Sequence, residues 1–367
     1  MSELSRRRFL QASTALMAAT STLALRGAEP ATPAKKLGFA LVGLGRLSIN
    51  QLLPAFAKCE HARCTALVSG HADKAKKLAS EFNVPEKNIY SYENFDSIKD
   101  NGDVDAIYIV LPNSMHAEYT IRAAKAGKHV LCEKPMANTV DECRQMIDAC
   151  KAANRKLMIA YRLHYEPMTQ KAIQICREKT YGPVKTIEAD FGFNIGPNQW
   201  RLDKKLAGGG PLVDVGVYCI NACRALAGEE PAQVSATMHQ PKDDPRFKEV
   251  EESMAWWMRF PSGIVANCAT SYGANPGNRY RVSTQTAQIT VDPAYSYNGL
   301  HMEIRAKGKP EPADFPSVDQ FAAEMDHFAQ CVVNDKTPAT PGEEGLADVK
   351  IIRKLYESAE NGKTLEM

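Results

Sequence analysis

The chain has 367 residues, 44% of them hydrophobic and 24% charged, with a formal net charge of +2. This ordinary globular composition is long enough for two domains, and the near-neutral charge argues against nucleic acid or stable membrane association. No uninterrupted apolar run reaches the roughly 18 residues that a membrane span needs.

The first stretch, Ser5-Arg6-Arg7-Arg8-Phe9-Leu10, precedes an Ala/Thr-rich apolar segment from Ala12 to Leu25. Paired arginines, an apolar region and small residues in that order predict a twin-arginine export signal with its linker over residues 1–34. The implied location is the periplasm, with the twin-arginine export machinery as a partner. Proteins on that route fold before export, so disulfides are not needed and any cofactor is loaded first. The ten cysteines contain no Cys-x-x-Cys pair and no histidine-rich companion, so no metal site is expected. Cys132, Cys143 and Cys150 read as small core residues.

From Leu37 onward, short apolar runs alternate with amphipathic stretches. Leu37–Val42, Cys64–Val68, Ile107–Leu111, His129–Cys132 and Lys156–Tyr161 read as strands, and Leu47–Lys58, His71–Phe82, Ala117–Ala126 and Val140–Ala153 as helices. This alternation predicts right-handed βαβ units and a parallel sheet, an α/β dinucleotide-binding (Rossmann) domain over 35–160.

Beyond about residue 180 the pattern changes. Val184–Asn194, Gln233–His239, Glu251–Phe260, Ile264–Tyr272, Tyr280–Ser283, Gln288–Val291 and His301–Arg305 read as strands, and one helix, Pro211–Leu226, interrupts them. Two helices, Gln320–Asn334 and Glu344–Asn361, close the chain. The expectation is an α+β C-terminal domain over 161–367 with a large, mostly antiparallel open sheet. One face is covered by helices and the other is free to pair in a homodimer or homotetramer; the last helices pack back on the first domain.

Candidate ligand residues cluster at strand ends. Gly43-x-Gly45-x-x-Ser48 follows a strand and opens a helix, so Gly43, Gly45, Arg46 and Leu47 are placed at a dinucleotide pyrophosphate. At the end of the second strand stand Ser69 and, in the next helical turn, Lys74, where NAD enzymes usually carry an acid. A hydroxyl and a cation accept a 2′-phosphate that a carboxylate repels, so the cofactor reads as NADP. Leu111-Pro112-Asn113 and His116 lie at the carboxyl edge of the sheet, where Asn113 and His116 line a nicotinamide pocket. Glu133-Lys134-Pro135 ends the next strand at the same edge. An ammonium there can hydrogen-bond a substrate oxygen beside the nicotinamide. Asp214 and Tyr218, four apart on one helix after Ala207-Gly208-Gly209-Gly210, share a face.

At these residues the sequence resembles the glucose–fructose oxidoreductase family, which also includes inositol and glucose dehydrogenases. The resemblance spans nearly the whole chain. It runs through Ala66-Leu67-Val68-Ser69-Gly70, Leu111-Pro112-Asn113-Ser114, Glu133-Lys134-Pro135-Met136, Tyr161-Arg162-Leu163-His164-Tyr165, Trp200-Arg201-Leu202, the glycine stretch with Asp214 and Tyr218, and Pro341-Gly342-Glu343-Glu344-Gly345. Most family members carry a histidine where this chain has Tyr218, which points to the aldose-oxidising branch. The resemblance implies an acid/base group of Lys134, Asp214 and Tyr218, cofactor contacts from Glu133 and Arg162, and substrate contacts from Tyr161, His164, Trp200 and Arg201. It implies oxidation of an aldose C1 hydroxyl to the aldonolactone, with the hydride passed to fructose or a second aldose to give an alditol such as sorbitol. A redox-neutral cycle on tightly bound NADP suits a compartment without nucleotide supply. The segment Asn194–Gln199 departs from the family type, which leaves the acceptor sugar open. Competing expectations are an NADP-dependent aldose 1-dehydrogenase with exchangeable cofactor, an NAD-dependent glycosidase, and a non-catalytic sugar-binding protein.

Overall fold

The computed structural model describes residues 35–367 apart from 276, 307 and 314. The export signal expected over 1–34 lies outside the described residues.

The strand β1 (Leu37–Val42) is buried along its whole length, as a central parallel strand with both faces covered must be. It pairs in parallel with β2 (Ala62–Val68) and β4 (Ala106–Ile109); β3 (Ile89–Tyr90), β5 (His129–Glu133) and β6 (Leu157–Ala160) complete a six-stranded sheet in the order β3-β2-β1-β4-β5-β6. The order reverses between β1 and β4, which puts the ligand crevice of such a sheet at their carboxyl ends. Crossovers are made by α1 (Leu53–Phe56), α2 (Ala72–Glu81), α3 (His116–Lys125) and α4 (Val140–Ala152). The helix expected from Leu47 begins as a π turn, Ser48–Leu52, and its α-helical part is short because the chain has turned by Ala57.

The longest helix outside the sequence expectation is α5 (Pro167–Glu178). Its signals were present, with Pro167 in the first turn, the Glu166 carboxylate accepting from the Thr169 amide at 2.7 Å, and Ala172, Ile175 and Cys176 at helical spacing on the buried face.

The second sheet has nine strands: β7 (Val184–Gly192), β8 (Gln233–His239), β9 (Ser253–Arg259), β10 (Val265–Ser271), β11 (Asn278–Thr284), β12 (Ala287–Val291), β13 (Met302–Ala306), β14 (Lys309–Ala313) and β15 (Leu365–Glu366). Their order is β14-β13-β12-β11-β7-β10-β9-β8-β15, antiparallel throughout except for the parallel pair β7/β10. The terminal strands β14 and β15 were not expected, being short and polar.

Two further helices follow: α6 (Lys204–Ala207) packs on the turn Asn113–Met115 after β4, and α7 (Val217–Ala227) lies on the inner face of this sheet, packing on β7, β10 and α5. Alternation along β9 decides which face is covered: Met254, Trp256 and Met258 are buried, whereas Ala255 and Arg259 are exposed. The same outer face carries exposed Lys185, Thr186, Glu188 and Asn267. The last helices return to the first sheet. The first of them, α8 (Gln320–Val333), packs on α1 and the π turn before it, and α9 (Gly342–Asn361) packs on α4, β6 and β8.

Candidate active site

A cavity of about 810 Å³ opens at the carboxyl ends of the first sheet's central strands and runs to the inner edge of the second sheet. That volume is in the range of small-molecule and cofactor sites.

Its first wall is the glycine turn. Gly43 has φ +91°, and a Cβ there would stand 2.3 Å from the Val110 carbonyl, so only glycine lets β1 turn this close to β4. Ser48, fully buried, donates to the Gly43 carbonyl at 2.5 Å and so closes the turn in place of a third glycine. A Cβ on Gly45 would meet nothing within 4 Å, so the backbone there faces open space at the head of the following helical turn. Leu44, Arg46, Leu47, Ser69, His71, Lys74 and Tyr92 line this end. The Ser69 hydroxyl accepts from the His71 amide at 3.0 Å, and the Lys74 ammonium lies 3.5 Å from the Leu44 carbonyl. These residues fit a dinucleotide: an open glycine cradle, then a hydroxyl and cations at the end of β2, with no carboxylate among the lining residues there.

The middle of the cavity is formed by Val110, Leu111, Pro112, Asn113, Glu133 and Lys134. Asn113 donates to the Ala207 carbonyl at 2.8 Å, tying β4's end to the start of the glycine stretch. Below, the Tyr108 hydroxyl lies 2.9 Å from Glu133 Oε1 and 3.3 Å from Glu324 Oε2. Burial, reinforced by the neighbouring Glu133, pushes the Glu324 carboxyl well above its usual range.

The third wall explains the glycine stretch. A Cβ on Gly210 would stand 2.6 Å from the Glu251 carbonyl, and the buried Glu251 carboxylate accepts from the Gly210 amide at 3.0 Å and the Leu212 amide at 3.2 Å. The chain then enters a π-helical segment, Leu212–Gly216, that continues into α7. Such segments recur at functional sites because they re-aim side chains. Here it presents Asp214 and Tyr218 to the cleft.

Three of the expected residues meet at that wall. Lys134 donates to the Asp214 main-chain carbonyl at 2.7 Å, lies 3.5 Å from Asp214 Oδ1, and stands 4.5 Å from the Tyr218 ring centroid. Asp214 Oδ2 accepts from Arg201 Nε at 2.9 Å and from the Tyr272 hydroxyl at 2.7 Å. Burial pushes the Asp214 carboxyl up, but the Arg201 and Lys134 charges and those two hydrogen bonds outweigh it and bring it down to about 2. It therefore stays ionised across ordinary pH and acts as an electrostatic anchor. Trp200 lies under the Arg201 guanidinium, 4.6 Å from ring to carbon, and both line the cleft.

Arg162 also lines the cavity, yet its guanidinium is engaged by protein groups. It donates to the Tyr295 carbonyl at 2.6 Å, to the Ser296 carbonyl at 3.1 Å and to Gln320 Oε1, and its flat face stacks between Tyr218 and Tyr297.

His116, Tyr161 and His164 do not line the cleft. His116 is fully buried with its two ring nitrogens each 2.9 Å from a carbonyl, of Pro135 and of Leu111, so it pins the two strand-end loops together. The Tyr161 hydroxyl donates to Asp348 at 2.6 Å, and His164 Nε2 pairs with Asn221 Oδ1 at 2.7 Å. Asn221 donates in turn to Glu344 and Asp348, and Arg224 bridges the same carboxylates at 2.8 and 2.7 Å. This network stands behind Tyr218 and fixes α7 to α9.

Several lining residues carried no sequence signal. Phe191, Phe193 and Tyr295 form an aromatic wall, Phe191 meeting Tyr218 edge-on at 5.7 Å and stacking on Tyr295 at 5.1 Å. Tyr297, Asn278, Ser296, Gln199 and Phe321 line the cleft without a motif too, and Tyr272 reaches the site through Asp214. Apart from Phe321 in the first turn of α8, they sit at strand ends or in loops, where no motif marks them.

Residues 37–161 match the oxidoreductase family with an NAD-binding Rossmann fold, and residues 169–290 match the GFO/IDH/MocA C-terminal domain. The structure is similar to that of an aldose–aldose oxidoreductase from Caulobacter crescentus in complex with glycerol, with TM-score 0.89 and 46% identity over 91% of this chain and 100% of that one. In sequence the chain is 32% identical to a D-xylose 1-dehydrogenase [NADP(+)] of Haloarcula marismortui, over 90% of this chain and 92% of that protein. It is 29% identical to a D-xylose 1-dehydrogenase (NADP(+)) of Haloferax volcanii, over 90% and 99%. With both of its halves matched and a relative of this identity aligned along nearly its whole length, the chain belongs to the GFO/IDH/MocA family of oxidoreductases and is an enzyme of that class.

Proposed function

We propose that this chain is an exported, periplasmic, NADP-dependent sugar oxidoreductase. It oxidises the C1 hydroxyl of an aldose such as glucose to the aldonolactone and passes the hydride to a second sugar, giving an alditol, on one tightly bound cofactor. In this reading residues 1–34 are the signal and linker, 35–160 bind NADP, and 161–367 bind sugar and form a homo-oligomer through the outer sheet face.

The observation that carries the reading is the convergence of Lys134, Asp214 and Tyr218 on one wall of a cleft whose other end is the glycine turn. Similarity to the aldose–aldose oxidoreductase supports the two-sugar cycle. Gly43 to Leu47 hold the pyrophosphate, and Ser69 and Lys74, joined by His71 and Arg46, receive the ribose 2′-phosphate. When bound, the nicotinamide supplies the hydride chemistry. Tyr218 takes the proton of the sugar hydroxyl and returns one to the second sugar. Lys134 hydrogen-bonds the reacting oxygen, its position set by the Asp214 carbonyl. Asp214, ionised at ordinary pH, holds Lys134 and Arg201 in place. Trp200, Arg201, Phe191 and Phe193 offer the aromatic faces and the cation that grip a pyranose.

The protein purified without added nucleotide tests this. Nicotinamide absorbance that rises with glucose and falls again with fructose or a second aldose is the expected result. The xylose dehydrogenase relatives favour one second reading, an NADP-dependent aldose 1-dehydrogenase that exchanges its cofactor. Turnover only after adding NADP selects it.

A further inference from the structure

β12 and β13 are antiparallel neighbours, yet they are not joined by a tight turn: after Val291 the chain leaves the sheet and returns only at Met302. The excursion, residues 292–300, runs to the cleft, which Tyr295, Ser296 and Tyr297 line together with the glycine turn.

It is clasped at both ends. On the sheet side, the Asn278 side chain accepts from the amides of Ala294 at 3.2 Å and Tyr295 at 2.7 Å and donates to Ser296 Oγ at 3.0 Å. On the dinucleotide-domain side, buried Arg162 takes the carbonyls of Tyr295 and Ser296, and buried Gln320 donates to those of Ser296 and Tyr297, each at 3.2 Å. Three consecutive carbonyls are thus held by the residue that follows Tyr161 after β6 and by the first residue of α8. Gln320 begins α8, the helix that packs on the turn following the glycine cradle.

The clasp fixes Tyr297. Arg162 lies 4.8 Å from its ring centroid, and Phe321 meets the ring edge-on at 5.2 Å. Although held on two sides, Tyr297 remains 46% exposed, one of few large hydrophobic side chains so open among the described residues. An immobilised aromatic ring with a free surface at the rim of a ligand cavity is a contact awaiting its ligand.

We propose that residues 292–300 are a strap that keeps bound dinucleotide in the cleft, with Tyr297 the residue that covers it and Arg162 and Gln320 the clasp that sets its position. The proposal rests on the reading above that NADP occupies this cleft, and it names the part of the chain that slows cofactor loss. Tyr297 is a cofactor-contacting residue; Arg162 and Gln320 are positioning residues acting through it.

The test is the rate of NADPH release, followed by nicotinamide fluorescence after mixing the loaded full-length protein with excess NADP, and compared with the KM for glucose. Removing one aromatic contact in Tyr297→Ala is expected to speed release about tenfold, whereas Tyr297→Phe, which keeps the ring, stays within about twofold of wild type. Gln320→Ala is expected to speed release in the same direction. Release from Tyr297→Ala within about twofold of wild type overturns the strap, as does a raised glucose KM with unaltered release. These ratios are read whatever the wild-type rate is. Rapid loss from the wild type with the ratio preserved removes tight retention and leaves the strap standing as the lid of an exchanging enzyme.

Discussion

The Lys134 ammonium donates to the main-chain carbonyl of Asp214 at 2.7 Å. One residue ends a strand of the parallel sheet; the other sits in a π-helical segment laid on the second sheet. The bond therefore registers the two halves of the enzyme at the point where chemistry is proposed, and the lysine is positioned by backbone as well as by charge.

Removing the proposed acid/base hydroxyl should separate chemistry from binding. Tyr218→Phe keeps the ring against Lys134, Arg162 and Phe191, so its fold and nucleotide content should match wild type. Loss of the hydroxyl is expected to lower kcat by about 10²–10⁴. Steady-state kinetics beside the nucleotide absorbance of purified protein measures both.

The Asp214 carboxyl, lowered from 3.8 to about 2, ties the site to stability. Its folded-state pKa is below its unfolded value, so the stabilisation is full above about pH 4 and is lost as pH falls through 2. That shift corresponds to about 2 kcal/mol. Asp214→Asn should therefore lower Tm at neutral pH and flatten the acid limb of the stability–pH curve. Thermal melts from pH 7 down to the acid transition check it.

Nucleotide choice is expected to reside in Lys74. Its ammonium reaches the glycine turn at the Leu44 carbonyl, at the same end of the cavity as Ser69 and His71. Lys74→Ala should weaken NADP by about tenfold or more, the loss of one charge-assisted hydrogen bond, and leave NAD nearly unchanged. Titrating apo protein with each nucleotide gives the ratio.

Gly210 leaves no room for a side chain. A Cβ would stand 2.6 Å from the Glu251 carbonyl and 2.9 Å from its carboxylate. Gly210→Ala is expected to cost about 1–3 kcal/mol and, because the displaced segment carries Asp214, to lower kcat as well. Glu251→Gln keeps one amide bond and should cost less. Chemical denaturation and kcat of both variants test the ordering.

Much of this was legible in the sequence, for physical reasons that differ by element. Buried parallel strands such as Leu37–Val42 are continuous apolar runs, and the glycine turn has a fixed context, so the first sheet and its ligand edge read directly. Asp214 and Tyr218 both line the cleft, because a π segment still brings residues four apart to one side. Tyr161 and His164 read as sugar ligands because they adjoin a family motif, but adjacency in sequence does not set direction. Their side chains turn away into the Asn221–Asp348 network. Arg162 was placed at the cofactor, whereas its donors go to main-chain carbonyls 133 and 134 residues away in sequence. Tyr272 and Tyr297 had no signal because their meaning comes only from long-range pairing of strands.

The phenol beneath the cleft carries a charge argument. Tyr108 has one proton and two carboxyl neighbours, Glu133 and Glu324. If it donates to Glu133, the contact with Glu324 requires that acid to bring its own hydrogen, and full burial of Glu324 favours its neutral form. The two glutamates then amount to one negative charge, delivered at the cleft floor by the member that lines it. That single charge lies beside the Lys134 and Arg162 cations rather than adding to a second one.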